Sequence, residues 1–401
     1  MSTLAALVLV ADASADEGRR AELQTPDPSG VLGNLSTRGA VIDRANPFFL
    51  SLGTNGRACI TCHVPDQAWS ISPPDVQKRF DETRGQDPIF RTNDGSNSPN
   101  ADVSTPQARR SAYSMLLSKG LIRVGIGVPA NAEFELVSVD DPYHFASAAE
   151  LSLFRRPLPS TNLAFLSTVM WDGRESSSRP ITFNDPGALA ADLATQANDA
   201  TRGHAQASRD LTVAERQRIV DFEMALFTAQ QVDNRAGDLS RKGGHGGPLA
   251  LSQQPFHVGN NDDLAPDPLG GAFNPAAMAL FDGLVSSDDA ARRAIVRGEQ
   301  IFNSRSFTIS QVGGLPGSLQ GTCTTCHNAP NVGNHSVSLP LDIGLSDASR
   351  RTPDMPLYTL RQKGSNLTVS TTDPGRALIT GKWADVGKFK GPILRGLAAR
   401  A

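Results

Sequence analysis

The sequence predicts a mainly α fold in two domains, with long loops and one small β element. Three observations predict it. All four cysteines of the 401-residue chain sit in two C-x-x-C-H strings, "RACITCHVPD" at 57–66 and "GTCTTCHNAP" at 321–330. These lie 264 residues apart (323 minus 59), too far for a tandem repeat, so each domain takes one. Aromatic and β-branched residues are sparse, while 36 glycines and 27 prolines cut the chain into short segments. The clearest local signals are helix starts.

Along the chain, "LAALVLVA" followed by Ala13-Ser14-Ala15 has the apolar run and small-x-small site of a secretory signal, without its basic leader. Residues 1–15 therefore read as a signal-peptide remnant. Asp16 would begin an exported, periplasmic chain whose N-terminal domain covers 16–240. Thr105-Pro106 opens a helix to about Lys119, with cap and first-turn proline in their usual order. "LIRVGIGV" at 121–128 and "FELVSVD" at 134–140 are the strand signals, expected to pair across the turn between them. Thr212 and Glu215 form a capping box for "VAERQRIVDFEMALFTAQQVDN", whose Ile219, Phe222, Leu226 and Phe227 share one helical face. The glycine-rich, polar stretch at 235–254 reads as the connection to a C-terminal domain, 255–401. There Ser287 and Asp288 begin "DAARRAIVRGEQIFN", which leads towards the second cysteine string.

Composition bounds the partners. A net charge of −3 gives no electrostatic case for nucleic acid or an anionic membrane surface, and no apolar run approaches a membrane span.

The two strings carry the chemistry. Two thiols three positions apart can reach both vinyl groups of one porphyrin, and the adjoining histidine can then bind the iron from below. Cys59, Cys62 and His63 would hold one haem c, and Cys323, Cys326 and His327 a second. Zinc is one ligand short at each string, with no further cysteine to complete it. A disulfide or redox-active C-x-x-C pair leaves the repeated histidine unexplained. The fold class becomes two cytochrome c-like haem domains.

With "MWDGRE" at 170–175 and "GKFKGPILRGLAARA" at 387–401, the chain resembles the bacterial di-haem cytochrome c peroxidase family and its MauG-type relatives, from about Asn46 onward. The resemblance implies that peroxide meets the N-terminal haem while the C-terminal haem receives electrons from a small soluble donor such as a cytochrome c or cupredoxin. Trp171 matches the tryptophan between the haems, Arg174 would neutralise haem propionates, and Asn162 in "PSTNLAF" resembles an asparagine of a calcium site. One oxygen supplies little of the six to eight that calcium takes.

The chain departs from the family in two places. It stops where the family runs on into "PYFH", so the C-terminal domain reads as truncated; Met355 and His335 are the residues after His327 considered for its sixth ligand, which stays open. Gln196-Ala197 matches the family, but His204 and Gln206 stand where its proton-moving glutamate would be sought. A distal histidine can do that transfer near neutral pH, or can instead coordinate the iron and close the site. His144, His245 and His257 carry no motif and read as structural. The leading expectation is a periplasmic peroxidase; the alternatives are a MauG-like or rubber-oxygenase-like enzyme acting on an organic or protein substrate, and a di-haem electron carrier without catalysis.

Overall fold

The computed structural model describes residues 21–176, 186–255, 273–315, 317–329, 331–333 and 340–401. The signal-peptide reading of 1–15, and the readings of His257 and His335, lie outside the described residues. Among those described, 31% are helical and 19% lie in strands, and the strands build several antiparallel sheets. The fold is therefore mixed α and β, which corrects the mainly α expectation.

The helix starts fall where their caps place them. Thr105 accepts a hydrogen bond from the Ala108 N–H, and helix Pro106–Ala112 follows, broken at Tyr113 before Ser114–Lys119 continues. Thr212 and Glu215 cap reciprocally at 3.2 and 2.7 Å to open Val213–Ala225. Asp289 caps Ala290–Ser304.

The expected long helix ends early. After Ala225 the chain becomes strand Leu226–Asp233, antiparallel to Gly30–Ser36, which in turn pairs with Ala21–Asp27. The reason is competition for the carbonyls: Ala225 O accepts from the Thr37 N–H and Leu226 O from the Asn162 N–H, both at 2.9 Å. A helix needs those acceptors for its own next turn. Leu226 and Phe227 are buried, as expected, but on a strand.

The two strand signals exist but do not pair with each other. Ile122–Ile126 lies against Leu151–Arg155, and Phe134–Asp140 against Leu357–Gln362, whose other neighbour is Thr368–Thr371. The second pairing takes one strand from either side of the expected connection. Beneath it Phe134, Leu151 and Leu153 pack with Tyr358, Leu360 and Leu378 in one core cluster. The 235–254 stretch is itself ordered: helix Gly247–Ser252 packs on the 226–233 strand, and Arg292 donates to the carbonyls of Ala236, Asp238 and Arg241. No helix among the described residues is long and apolar enough to cross a membrane.

Candidate haem cavity and its distal wall

Both cysteine strings fold alike. In the first, the Ala58 N–H donates to Thr61 Oγ1 at 3.0 Å and the His63 N–H to Cys59 O at 3.0 Å. In the second, the Thr322 N–H donates to Thr325 Oγ1 at 2.9 Å and the His327 N–H to Cys323 O at 3.0 Å. The threonine before each second cysteine closes a single turn with the histidine just past it. All four cysteines are free thiols.

Cys59, Cys62 and His63 line a cavity of about 170 Å³. Protein interiors are packed with few voids larger than a water molecule, so space on this scale indicates a ligand site. His63 presents Nδ1 to the Trp69 carbonyl at 3.0 Å, which leaves Nε2 as its free nitrogen. That carbonyl is aimed by two consecutive left-handed residues, Ala68 (φ 50°) and Trp69 (φ 57°). The fully buried Trp69 indole is held in turn: its N–H donates to Asn34 Oδ1 at 2.9 Å, which also accepts from Thr228 Oγ1 at 2.8 Å. Rings of Phe48 and Phe222 flank the indole at 6.1 and 5.7 Å.

Burial pushes the Cys59 thiol up to about 12, with Glu223 and Cys62 adding to it, and raises Cys62 as well. A redox-active pair needs the reverse. Burial lowers His63 to about 4, so its imidazole is neutral at ordinary pH, as an iron ligand requires. Among the described residues no three His, Cys, Asp or Glu side chains converge as a metal cluster.

His204 lines the same cavity. It follows helix Pro186–Gly203, and its Nδ1 lies 2.5 Å from Asp94 Oδ2. The other Asp94 oxygen accepts from Arg57, two residues before Cys59. Gly53 lets the 204–206 turn come close: the Thr54 N–H donates to Ala205 O at 3.0 Å, and a Cβ at Gly53 would sit 1.8 Å from that oxygen. Gln206, expected beside His204, points elsewhere. The turn puts it in a left-handed conformation (φ 55°), exposed, with Asn55 donating to Oε1 at 3.3 Å. Gln196, from the helix, lines the cavity instead.

Trp171 and Arg174 are both in the cavity wall. The Trp171 indole N–H donates to Arg156 O at 2.8 Å, and its own carbonyl accepts from the Lys390 N–H at 2.9 Å. Arg174 pairs with Asp172 at 3.2 Å, and Asp172 with the buried Arg155 at 2.6 Å; Arg155 also grips Asp373 bidentately at 2.8 and 3.0 Å. Arg156 and Lys390 line the same wall and, among the described residues, their side chains donate only to main-chain carbonyls. The Glu223 carboxyl also lines it, raised by burial to about 8 against a hydrogen bond from Ser160.

The second string is buried with polar atoms left over. His327 Nδ1, both amide atoms of Asn328 and Asn331 Oδ1 have no hydrogen-bond partner among the described residues. Native interiors rarely leave such groups bare, so these residues suit a bound polar group. The first string thus fits, through its cavity, the haem that its sequence implies, and the second leaves polar atoms, His327 Nδ1 among them, for a group to satisfy.

Other expected ligands are engaged or remote. Asn162 Oδ1 accepts from the Thr228 N–H and Nδ2 donates to Thr228 O, each at 2.9 Å, so the amide acts as a substitute strand edge and its oxygen is taken from any calcium. The Met355 loop is tied to Lys119, Asp140 and Tyr143 through Asp354 and Arg351. His144 and His245 are exposed. Asp94, Arg57, Glu223 and Lys390 were not singled out from sequence. Arg57, adjoining the cysteine string, and Lys390, within the 387–401 motif, had a local cue.

Comparison with protein-family models, with curated proteins and with solved structures finds no match. The likeness to di-haem peroxidases therefore stands on the quoted motifs.

Proposed function

We propose that this chain is an exported di-haem c-type oxidoreductase that reduces hydrogen peroxide, H2O2 + 2 H+ + 2 e− → 2 H2O, with both electrons drawn from a small soluble redox protein. The observation that carries this reading is the sharing of one cavity by His63, Cys59 and Cys62 with a second histidine, His204. Cys59, Cys62 and His63 would hold one haem and Cys323, Cys326 and His327 the other, supplying the iron at which peroxide is bound and reduced.

The chain's own residues supply the proton handling. His204, carried on a turn fixed by Gly53, accepts a proton from one peroxide oxygen and returns it to the other, which leaves as water. Gln196 offers an amide that can orient the substrate in the same wall. Arg156 and Lys390 have no carboxylate partner among the described residues and suit the carboxylates of a porphyrin. Apolar neighbours such as Leu158, Leu163 and Val169 keep bulk water from the site.

The test is expression in a host that matures c-type cytochromes. The mass should show two haem additions, with Cys62→Ala and Cys326→Ala each losing one thioether bond. The optical spectrum should contain a high-spin fraction, and His204→Ala should slow peroxide turnover about 10²-fold or more. A wholly low-spin protein without turnover would establish the electron-carrier alternative, and a colourless protein would end both readings.

A further inference from the structure

We propose that Asp94, itself anchored by Arg57, is the positioning residue that fixes His204 in the Nδ1–H tautomer and so makes Nε2 the proton-accepting nitrogen. It rests on the proposed peroxide chemistry only for what Nε2 then does; the tautomer stands on geometry.

Asp94 is buried, and its carboxylate faces two groups. Arg57 reaches one oxygen and His204 Nδ1 lies 2.5 Å from the other. Burial works against the charge, but the hydrogen bond from His204, with Arg57, outweighs it and holds Asp94 below the ordinary carboxylate range. An ionised carboxylate only accepts, so the nitrogen facing it must carry the hydrogen. In a neutral imidazole the other nitrogen then has the lone pair.

Arg57 makes this arrangement rigid. Its Nε donates to Pro88 O at 2.8 Å, Nη2 to Ile89 O at 2.6 Å, and Nη1 also to His204 O at 3.3 Å. The Asp94 main chain is pinned too, its carbonyl accepting from the Arg123 N–H at 2.7 Å. The guanidinium can only donate, so it claims an acceptor oxygen at position 94 whatever residue stands there.

That determines what Asp94→Asn should do. An amide has one oxygen for two donors. Arg57 cannot become an acceptor, whereas imidazole can. The substituted amide would give its oxygen to Arg57 and turn its NH2 to His204, forcing Nδ1 to accept and the proton to Nε2. The base is then blocked although its shape is kept, as in the asparagine variant of a serine-protease triad. Adding Arg57→Met to that variant frees the oxygen to return to Nδ1–H, so the double variant should recover the original tautomer.

The readout is 15N NMR of histidine-labelled, haem-loaded full-length protein, reduced and under carbon monoxide so that the irons are diamagnetic. The parent and Asp94→Glu should show His204 protonated at Nδ1. Asp94→Asn should show it at Nε2, with kcat for peroxide down about 10²–10⁴-fold and KM little changed. Should Asp94→Asn fail to fold, the parent spectrum still decides: a His204 protonated at Nε2 overturns the assignment. An unchanged tautomer in a folded Asp94→Asn overturns it equally. A tautomer switch in a protein without peroxide turnover keeps Asp94 in its role and removes the proposed reaction; turnover with no switch does the opposite.

Discussion

Replacing Asn34 with leucine removes the polar hub beneath His63 while keeping its branched heavy-atom shape. Two donors lose their acceptor, the Trp69 indole N–H at 2.9 Å and the Thr228 hydroxyl at 2.8 Å, in a site where Asn34, Trp69 and Thr228 are all fully buried. An unsatisfied buried donor costs about 1–3 kcal/mol, so the pair comes to about 2–6 kcal/mol, softened where Thr228 turns its hydroxyl to Thr161 at 2.9 Å. The network also holds Ala68 and Trp69 at φ 50° and 57°, and non-glycine residues in that region carry strain of about 1–3 kcal/mol each. Without the indole anchor, that strain favours withdrawal of the Trp69 carbonyl from His63 Nδ1. Urea unfolding followed by tryptophan fluorescence should show a loss of about 3 kcal/mol at unchanged m-value. In the haem-loaded protein, the reduction potential of the His63 site should move while that of the His327 site stays. A loss below about 1 kcal/mol with both potentials unchanged would refute the reasoning.

Two further outcomes follow from the same wall of the cavity. Glu223 is an acid whose folded pKa, about 8, lies above its ordinary 4.5, so the folded chain holds a proton that the unfolded chain releases. Stability should therefore be full below pH 4.5 and fall as pH rises through 8, by about 5 kcal/mol at most; in Glu223→Gln, unfolding midpoints between about pH 5 and 9 should lose that slope. Gly53→Ala would force its methyl onto Ala205 O, 1.8 Å away, and push the 204–206 turn outward; slowed peroxide turnover with haem content intact is the expected result, and parent-like kinetics would show that the turn has slack.

What the sequence made legible was local. The Thr105 and Thr212 starts, and the matched turns of the two cysteine strings, depend on residues within four positions of each other, while the start expected at Ser287 and Asp288 falls at the Asp289 cap. The mainly α reading failed where partners are distant. Ile219, Phe222 and Leu226 continue a helical rhythm without a break, but Thr37 and Asn162, each more than sixty positions away, take the carbonyls that would extend it. The pairing of 134–140 with 357–362 was likewise beyond any nearby turn signal. At the site, His204 was legible through Gln196-Ala197 and the lost glutamate, whereas Asp94 belongs to a loop 110 positions earlier. Gln206 was misplaced because Gly203 ends the helix and the next turn reverses its direction.

The sheet that joins the two halves also sets a timetable. Asp140 meets Leu357 across 217 positions (357 minus 140), and Arg155, which has Asp172 close by in the chain, waits for Asp373 as its second carboxylate. During synthesis the second partner of each pair emerges long after the first, so Arg155 and the apolar face of the 134–140 strand spend that interval unfinished. Until residue 390 has been made, the Trp171 carbonyl lacks the Lys390 N–H from which it accepts.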